Sequence, residues 1–131
     1  MVGLTKEALN IDSLIQNLKN SNAGSIVIFL GEPRRSEEDG PVVLINYSAY
    51  EEMALIELKK IELEALKRNG IIDVIIIHRI GNVPLTELSF FVGVSSAHRE
   101  EGFQACSFIV DEVKKKVPIW KEMRYERDRS C

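Results

Sequence analysis

The chain is poor in cysteine, histidine and tryptophan, with two, two and one among 131 residues. Cys106 sits in an apolar pattern and Cys131 is the last residue, so there is neither a CxxC metal spacing nor a disulfide framework. Such cysteine use makes a reduced, cytoplasmic setting the default expectation. His78 and His98 stand far apart with no third ligand at a suitable spacing, which argues against a metal centre, and no cofactor is implied. No apolar run is long enough to cross a bilayer as a helix. The longest, IIDVIII, reads as a buried strand, and the opening MVGLTKEALN lacks the form of a signal peptide. Also missing are a P-loop, a dinucleotide fingerprint, a serine triad and a paired-carboxylate signature. Positive charge is not in excess: 17 Lys+Arg face 20 Asp+Glu, and the net charge of −3 argues against a general nucleic-acid binder.

What is present is a chain of one-domain size, 45% hydrophobic and 28% charged, long enough to bury a core unaided. The whole of 1–131 reads as a single domain. Residues 3–8 suit a short edge strand. Asn10 can cap a helix whose apolar face is Ile11, Leu14, Ile15 and Leu18. SIVIFLG (25–31) and VVLINYS (42–48) read as strands separated by a charged loop, EPRRSEEDGP (32–41). A helix over 49–68 puts Ala54, Leu58, Ile61 and Ala65 on one face, with acids and lysines elsewhere, and Asn69-Gly70 ends it. IIDVIIIHRIG (71–81) is a strand, NVPLTE (82–87) a loop and LSFFVGVSS (88–96) a strand. Ser96 then caps a helix with Phe103, Cys106, Val110, Val113 and Val117 inward, stopped or kinked by Pro118. Several strands meet through loops too short for parallel crossovers, which predicts an α+β fold with a mainly antiparallel sheet and flanking helices.

The positive charge that exists is local. VKKKVPIWK (113–121) sets Lys114, Lys115, Lys116 and Lys121 around a proline and the only tryptophan. Seven residues apart, Lys114 and Lys121 would share a face of a continuous helix, and Pro118 and Trp120 stiffen the chain between them. A lysine aimed against an apolar wall suits work as base or nucleophile, whereas a solvated lysine run simply favours a helix C-terminus. Lys115 and Lys116 fit the second description; Lys114 and Lys121 fit either. SSAHRE (95–100) places His98 and Arg99 in a first helical turn, where free N–H groups favour an anion. A surface pair answered by Glu100 and Glu101 is the other reading. FLGEPRR (29–35) puts arginines in a loop suited to close over an anion, or to be answered by Glu37, Glu38 and Asp39. HRIG (78–81), a His-Arg pair at a strand end entering a turn, could line a cleft, but a structural pair meeting solvent or backbone is the favoured reading.

Taken together and in order, GSIVIFLGEPR, INYSAYEEMALIEL, IIIHRIGNVPLTE and FFVGVSSAHREEGFQACSFIVDEVKKKVPIWK resemble the large, catalytic subunit family of molybdopterin synthase. The resemblance implies an α/β-hammerhead-like fold and an enzyme of molybdenum cofactor biosynthesis. It implies sulfur transfer from the C-terminal thiocarboxylate of a ubiquitin-like small subunit, ending in Gly-Gly, to cyclic pyranopterin monophosphate. It also implies a homodimer at the core of a heterotetramer. Lys114 and Lys121 match the family's catalytic lysines. Arg34, His98 and Arg99 match its substrate-binding residues, and Phe29, Pro118 and Trp120 would frame the pocket. The alternative is a non-catalytic docking subunit that binds a ubiquitin-like partner or an anionic pterin; docking alone does not need two aimed lysines. The chain departs from the pattern at Glu32-Pro33, at Thr86, where glycine is common, and in a divergent tail, 122–131. There Arg124, Arg127 and Arg129 are candidates for an arginine that the family supplies across the dimer.

Overall fold

The protein is seen here as a computed structural model that describes residues 1–34 and 42–125. Residues 35–41 of the expected 32–41 loop, together with Arg127, Arg129 and Cys131, lie outside the described residues. The elements run β1 Val2–Thr5, α1 Ile11–Leu18, β2 Ser25–Gly31, β3 Val42–Ala49, α2 Glu51–Leu66, β4 Ile71–Arg79, β5 Gly81–Pro84, β6 Phe90–Ser96, α3 Arg99–Lys116 and β7 Ile119–Tyr125.

The apolar run of β4 is explained by burial on both sides. β4 and β6 are the inner strands of a sheet ordered β1-β4-β6-β2, parallel only between β1 and β4. Successive side chains of a strand point to opposite faces. Val74 and Ile76 therefore join Phe90, Val92 and Val94 against α2 and α3, while Ile75 and Phe91 meet Leu18 of α1 on the other face. The helix face predicted for α2 is the one buried, with Ala54, Leu58 and Ala65 fully inaccessible. Gly70, at φ +79°, makes the turn out of that helix in a conformation few other residues adopt. Asn10 caps α1 as expected, its side chain accepting the Ser13 N–H at 3.1 Å. The mainly antiparallel α+β expectation therefore holds.

The structure corrects several local expectations. NVPLTE is not all loop: β5 pairs with β3, and with β7 these form a second, antiparallel sheet ordered β5-β3-β7. β7 extends through Tyr125, so 122–125 of the expected tail lie in a strand opposite β3. The β6 strand starts at Phe90 because Ser89 is drawn to Gly31, whose carbonyl accepts both its N–H and its hydroxyl. Ser96 does not cap α3; His98 holds the cap position, and the Ser96 hydroxyl donates to the His98 carbonyl at 2.7 Å. Phe103 is exposed, because α3 turns Gly102, Ala105, Cys106, Ile109 and Val113 to the sheet. Acids and lysines do not cover the rest of α2 either, since Met53, Leu55, Ile56 and Leu63 are exposed.

Candidate active site

The last turn of α3 carries Lys114, and the chain leaves that helix abruptly. Pro118 has no N–H to continue it, Val117 is already extended at φ −85°, ψ 125°, and β7 begins at Ile119. The Pro118 carbonyl accepts the Tyr50 N–H, 3.2 Å away, which ties this corner to the start of α2. β7 then runs antiparallel to β3 and sets Lys121 directly opposite Tyr47. Lys114 and Lys121 thus do not share a continuous helix face. A helix end and a strand bring them to the walls of one cleft.

The inner part of the cleft is narrow, about 110 Å³, with Val113, Val117, Ile119 and Trp120 as apolar wall beside the two lysines. Next to it lies a wider hollow of about 430 Å³ that shares Tyr47, His78, Lys114 and Lys121 and adds Phe29, Glu32 and Arg34. That volume is within the range of small-ligand sites. A larger depression, about 630 Å³ around Lys19, Asn20, Ala23 and Ile26, contains only one titratable side chain; the chemistry is concentrated in the smaller cleft.

The floor is a ladder of rings. Phe29 meets Phe90 edge-on at 5.8 Å, Phe90 stacks on His78 at 5.2 Å, and His78 meets Tyr47 edge-on at 5.1 Å between centroids. The Tyr47 hydroxyl donates to Ser89 Oγ at 3.4 Å. His78 Nδ1 lies 2.7 Å from the Arg79 carbonyl, and burial holds its pKa below the ordinary value. Gly31 lets β2 pass close to this floor: a Cβ there would sit 3.1 Å from Phe90 Cβ.

Arg79 plays a different part. It points away from His78 and pairs with Glu87 at 2.8 Å, pinning the β5–β6 connection. The HRIG pair therefore divides, with a structural arginine and a histidine in the cleft. The charge balance of the cleft is cationic. Among the described residues, neither Lys114 nor Lys121 lies within ion-pair distance of a carboxylate, whereas Lys116 is held by Glu112 at 2.9 Å. Three cations unanswered among the described residues, Lys114, Lys121 and Arg34, beside Glu32 make a hollow that attracts anions.

Of the residues expected from sequence, Lys114, Lys121, Arg34 and Phe29 line the wider hollow, and Trp120 the inner part. Pro118 acts one step removed, by ending α3. His98 and Arg99 are not brought there. They are exposed on a shallow surface with Gly24, Glu100 and Glu101 at the other end of α3. Fifteen residues separate Arg99 from Lys114, about 22 Å of helix. Neither is ion-paired with Glu100 or Glu101 among the described residues. Arg124 pairs with Glu122 at 3.2 Å. Sequence reasoning missed Tyr47 and set His78 aside; the strand end and the polar break in IIDVIIIHR were the available signals.

The family model described as MoaE protein matches residues 4–116. The molybdopterin synthase catalytic subunit of Pyrococcus abyssi is 47% identical over 115 residues, covering 88% of this chain and 78% of that protein. A crystal structure of molybdopterin synthase from Staphylococcus aureus superposes with a TM-score of 0.87 at 30% identity, covering 94% of this chain and 90% of that one. A chain from the complex of subunits 1 and 2 of molybdopterin-converting factor from Helicobacter pylori shares the fold, with a TM-score of 0.78 at 20% identity, covering 98% of this chain and 91% of that one.

Proposed function

The chain belongs to the MoaE protein family, and we propose that it transfers sulfur as the catalytic subunit of a molybdopterin synthase. The sulfur donor is the C-terminal thiocarboxylate of a small ubiquitin-like partner. The acceptor is cyclic pyranopterin monophosphate, and the product carries the dithiolene of molybdopterin. The observation that carries this reading is the pair of lysines, without carboxylate partners among the described residues, that α3 and β7 set into one narrow cleft.

The shape of the cleft supports the donor. An inner groove of about 110 Å³ with apolar walls suits an extended tail without side chains, as Gly-Gly is. The wider hollow with Arg34 suits the anionic pterin. The thiocarboxylate sulfur attacks a carbon of the pterin side chain. Lys114 and Lys121 stabilise the negative charge that develops and donate protons in the acid steps. Water then hydrolyses the link between carrier and substrate, leaving sulfur on the pterin, and a second carrier repeats the cycle and opens the cyclic phosphate.

His98 and Arg99 bind the same substrate from a second copy of the chain. At about 22 Å along α3 they cannot reach the cleft of their own chain, so a homodimer in which the N-terminal end of one α3 meets the cleft of the other completes the site. One small subunit docks at each cleft, giving a heterotetramer. The whole chain, 1–131, works as one domain. The free Cys106 thiol is in keeping with a cytoplasmic setting.

The test is reconstitution. The chain is mixed with a thiocarboxylated small subunit and cyclic pyranopterin monophosphate, and dithiolene formation is followed. Dithiolene from the native chain, lost in lysine variants that still bind the partner, is the expected result. Partner binding without any product would contradict the reading and favour a docking subunit.

A further inference from the structure

Lys114 and Lys121 explain charge stabilisation but not who accepts the proton from water when the carrier is released. An ammonium has no lone pair, so a charged lysine donates and does not accept. The inner cleft contains two other titratable side chains, Tyr47 and His78. The Tyr47 hydroxyl is occupied with Ser89 Oγ. Glu32 lines only the wider hollow.

His78 is built differently from a histidine that merely fills a core. A carbonyl only accepts, so the 2.7 Å contact with the Arg79 carbonyl makes Nδ1 the N–H of the ring. The other nitrogen, Nε2, then carries the lone pair. No described protein group takes it up, and the ring lines both parts of the cleft. Phe90 stacked on one side and Tyr47 edge-on at the other leave the ring little freedom to turn.

We propose that His78 is the general base of the hydrolytic step, its Nε2 taking a proton from the water that attacks the acyl carbon joining carrier to substrate. This rests on the sulfur-transfer reading above. The water oxygen bonds to the acyl carbon of the carrier's terminal glycine. The carbon–sulfur bond breaks, and its electron pair leaves with the sulfur as a thiolate on the pterin. One water proton passes to Nε2. The other is lost to solvent as the carrier departs as a carboxylate, and the imidazolium then returns its proton to solvent. Nothing is oxidised or reduced. Lys114 and Lys121 stabilise the oxyanion formed on the way.

The surroundings keep this base neutral. From β3 the titratable neighbour is Tyr47, from α3 Lys114, from β7 Lys121, and from the segment after β2 Glu32 and Arg34. β1 and β6 place Leu4 and Phe90 beside it. α2 faces the sheet with Ala54, Leu58, Ile61 and Ala65, and its buried Glu62 is held by the Met1 ammonium beside Val74. Burial lowers the His78 pKa below 6.5, more than the Arg79 carbonyl raises it. A neutral imidazole in this range suits proton abstraction at neutral pH.

The test is single-turnover sulfur transfer by the full complex with His78→Asn, whose side-chain amide can replace Nδ1–H toward the Arg79 carbonyl but offers nothing at Nε2. The carrier–substrate adduct is followed by mass after quenching. The expected variant forms the adduct at the native rate but hydrolyses it about 100-fold or more slowly, and added imidazole restores part of the loss. In the native complex, hydrolysis is level above pH 6.5 and falls below it, and this acid limb is missing from the variant. A variant that hydrolyses the adduct at the native rate, or equal loss of adduct formation and hydrolysis, would overturn the proposal. If the variant does not fold, the native pH profile decides, and a profile without the acid limb overturns it. A native complex that forms no adduct at all overturns the sulfur-transfer reading itself, and the base assignment falls with it.

Discussion

The two ends of α3 both carry basic residues, and they are built in opposite ways. At the C-terminal end, Lys114 projects into a cleft with a second lysine opposite, a stacked histidine and a wall of apolar side chains. At the N-terminal end, His98 and Arg99 lie on an open surface without a side-chain cap bond or an ion partner among the described residues. Cations suit a helix C-terminus and oppose the dipole at an N-terminus. The favourable end is walled and shaped like a site for chemistry. The unfavourable end is a pair of donors that an anion would have to complete, bordered among the described residues only by Gly24, Ala97, Glu100 and Glu101 of its own chain. One end therefore reads as a reaction cleft and the other as a contribution to someone else's.

The largest effect separating the two ends is expected from the lysines. Lys114→Ala or Lys121→Ala should lower the rate of dithiolene formation about 100- to 1,000-fold, the scale of losing one preorganised charge-stabilising donor. Affinity for the small subunit, read by calorimetry, should stay within a few-fold. Arg99→Ala should act more weakly and on a different constant. It is expected to reduce kcat/KM about tenfold or more, chiefly by raising KM, as the loss of a charge-assisted contact to bound substrate would. Equal collapse of kcat for Arg99→Ala and Lys114→Ala would erase the distinction drawn between the ends.

Titration gives a third contrast. His78 at the cleft has its pKa lowered by burial. Between that lowered value and 6.5 the unfolded chain binds more protons than the folded one, so unfolding free energy rises with pH there. Stability should be undiminished above pH 6.5 and fall as pH drops through the window. Denaturant unfolding at stepped pH checks this, and His78→Asn should remove the dependence while His98→Asn should leave it in place. The smallest effect concerns neither end. Thr86 sits at φ +75°, a left-handed conformation that strains a β-branched residue. Thr86→Gly should stabilise the fold by about 1 kcal/mol with sulfur transfer unchanged, a control that separates stability from chemistry.

Much of this was legible in the sequence because periodicity reports burial. The α2 face Ala54, Leu58, Ile61 and Ala65 and the strand SIVIFLG fell where the pattern put them. The frame of α3 was misread for a physical reason. The faces built on Phe103 and on Gly102 share Cys106 and Val113, so hydrophobic weight favoured the phenylalanine. Gly102 instead allows α3 to approach the sheet, where an added Cβ would meet Ser96 Oγ at 2.7 Å. Lys114, Lys121 and Arg34 were singled out by local charge patterning, and the resemblance of their motifs gave them roles. Tyr47 was missed and His78 was weighed chiefly as a structural residue, because alternation along a strand gives the face of a residue but not what covers the strand's end. His98 and Arg99 were legible as a pair but not as remote from the cleft of their own chain, since a distance along a helix becomes meaningful only when both ends are located.

The most direct measurement is complementation between lesions at the two ends. Lys114→Ala and Arg99→Ala chains are unfolded, mixed in equal amounts, refolded together with the small subunit and assayed for dithiolene at substrate well below KM, where each variant alone is impaired. If each cleft is completed by the α3 N-terminus of a second copy, half the dimers are mixed and each mixed dimer has one intact site, so about a quarter of native sites should return. Activity no higher than the average of the two separate variants would contradict the shared site.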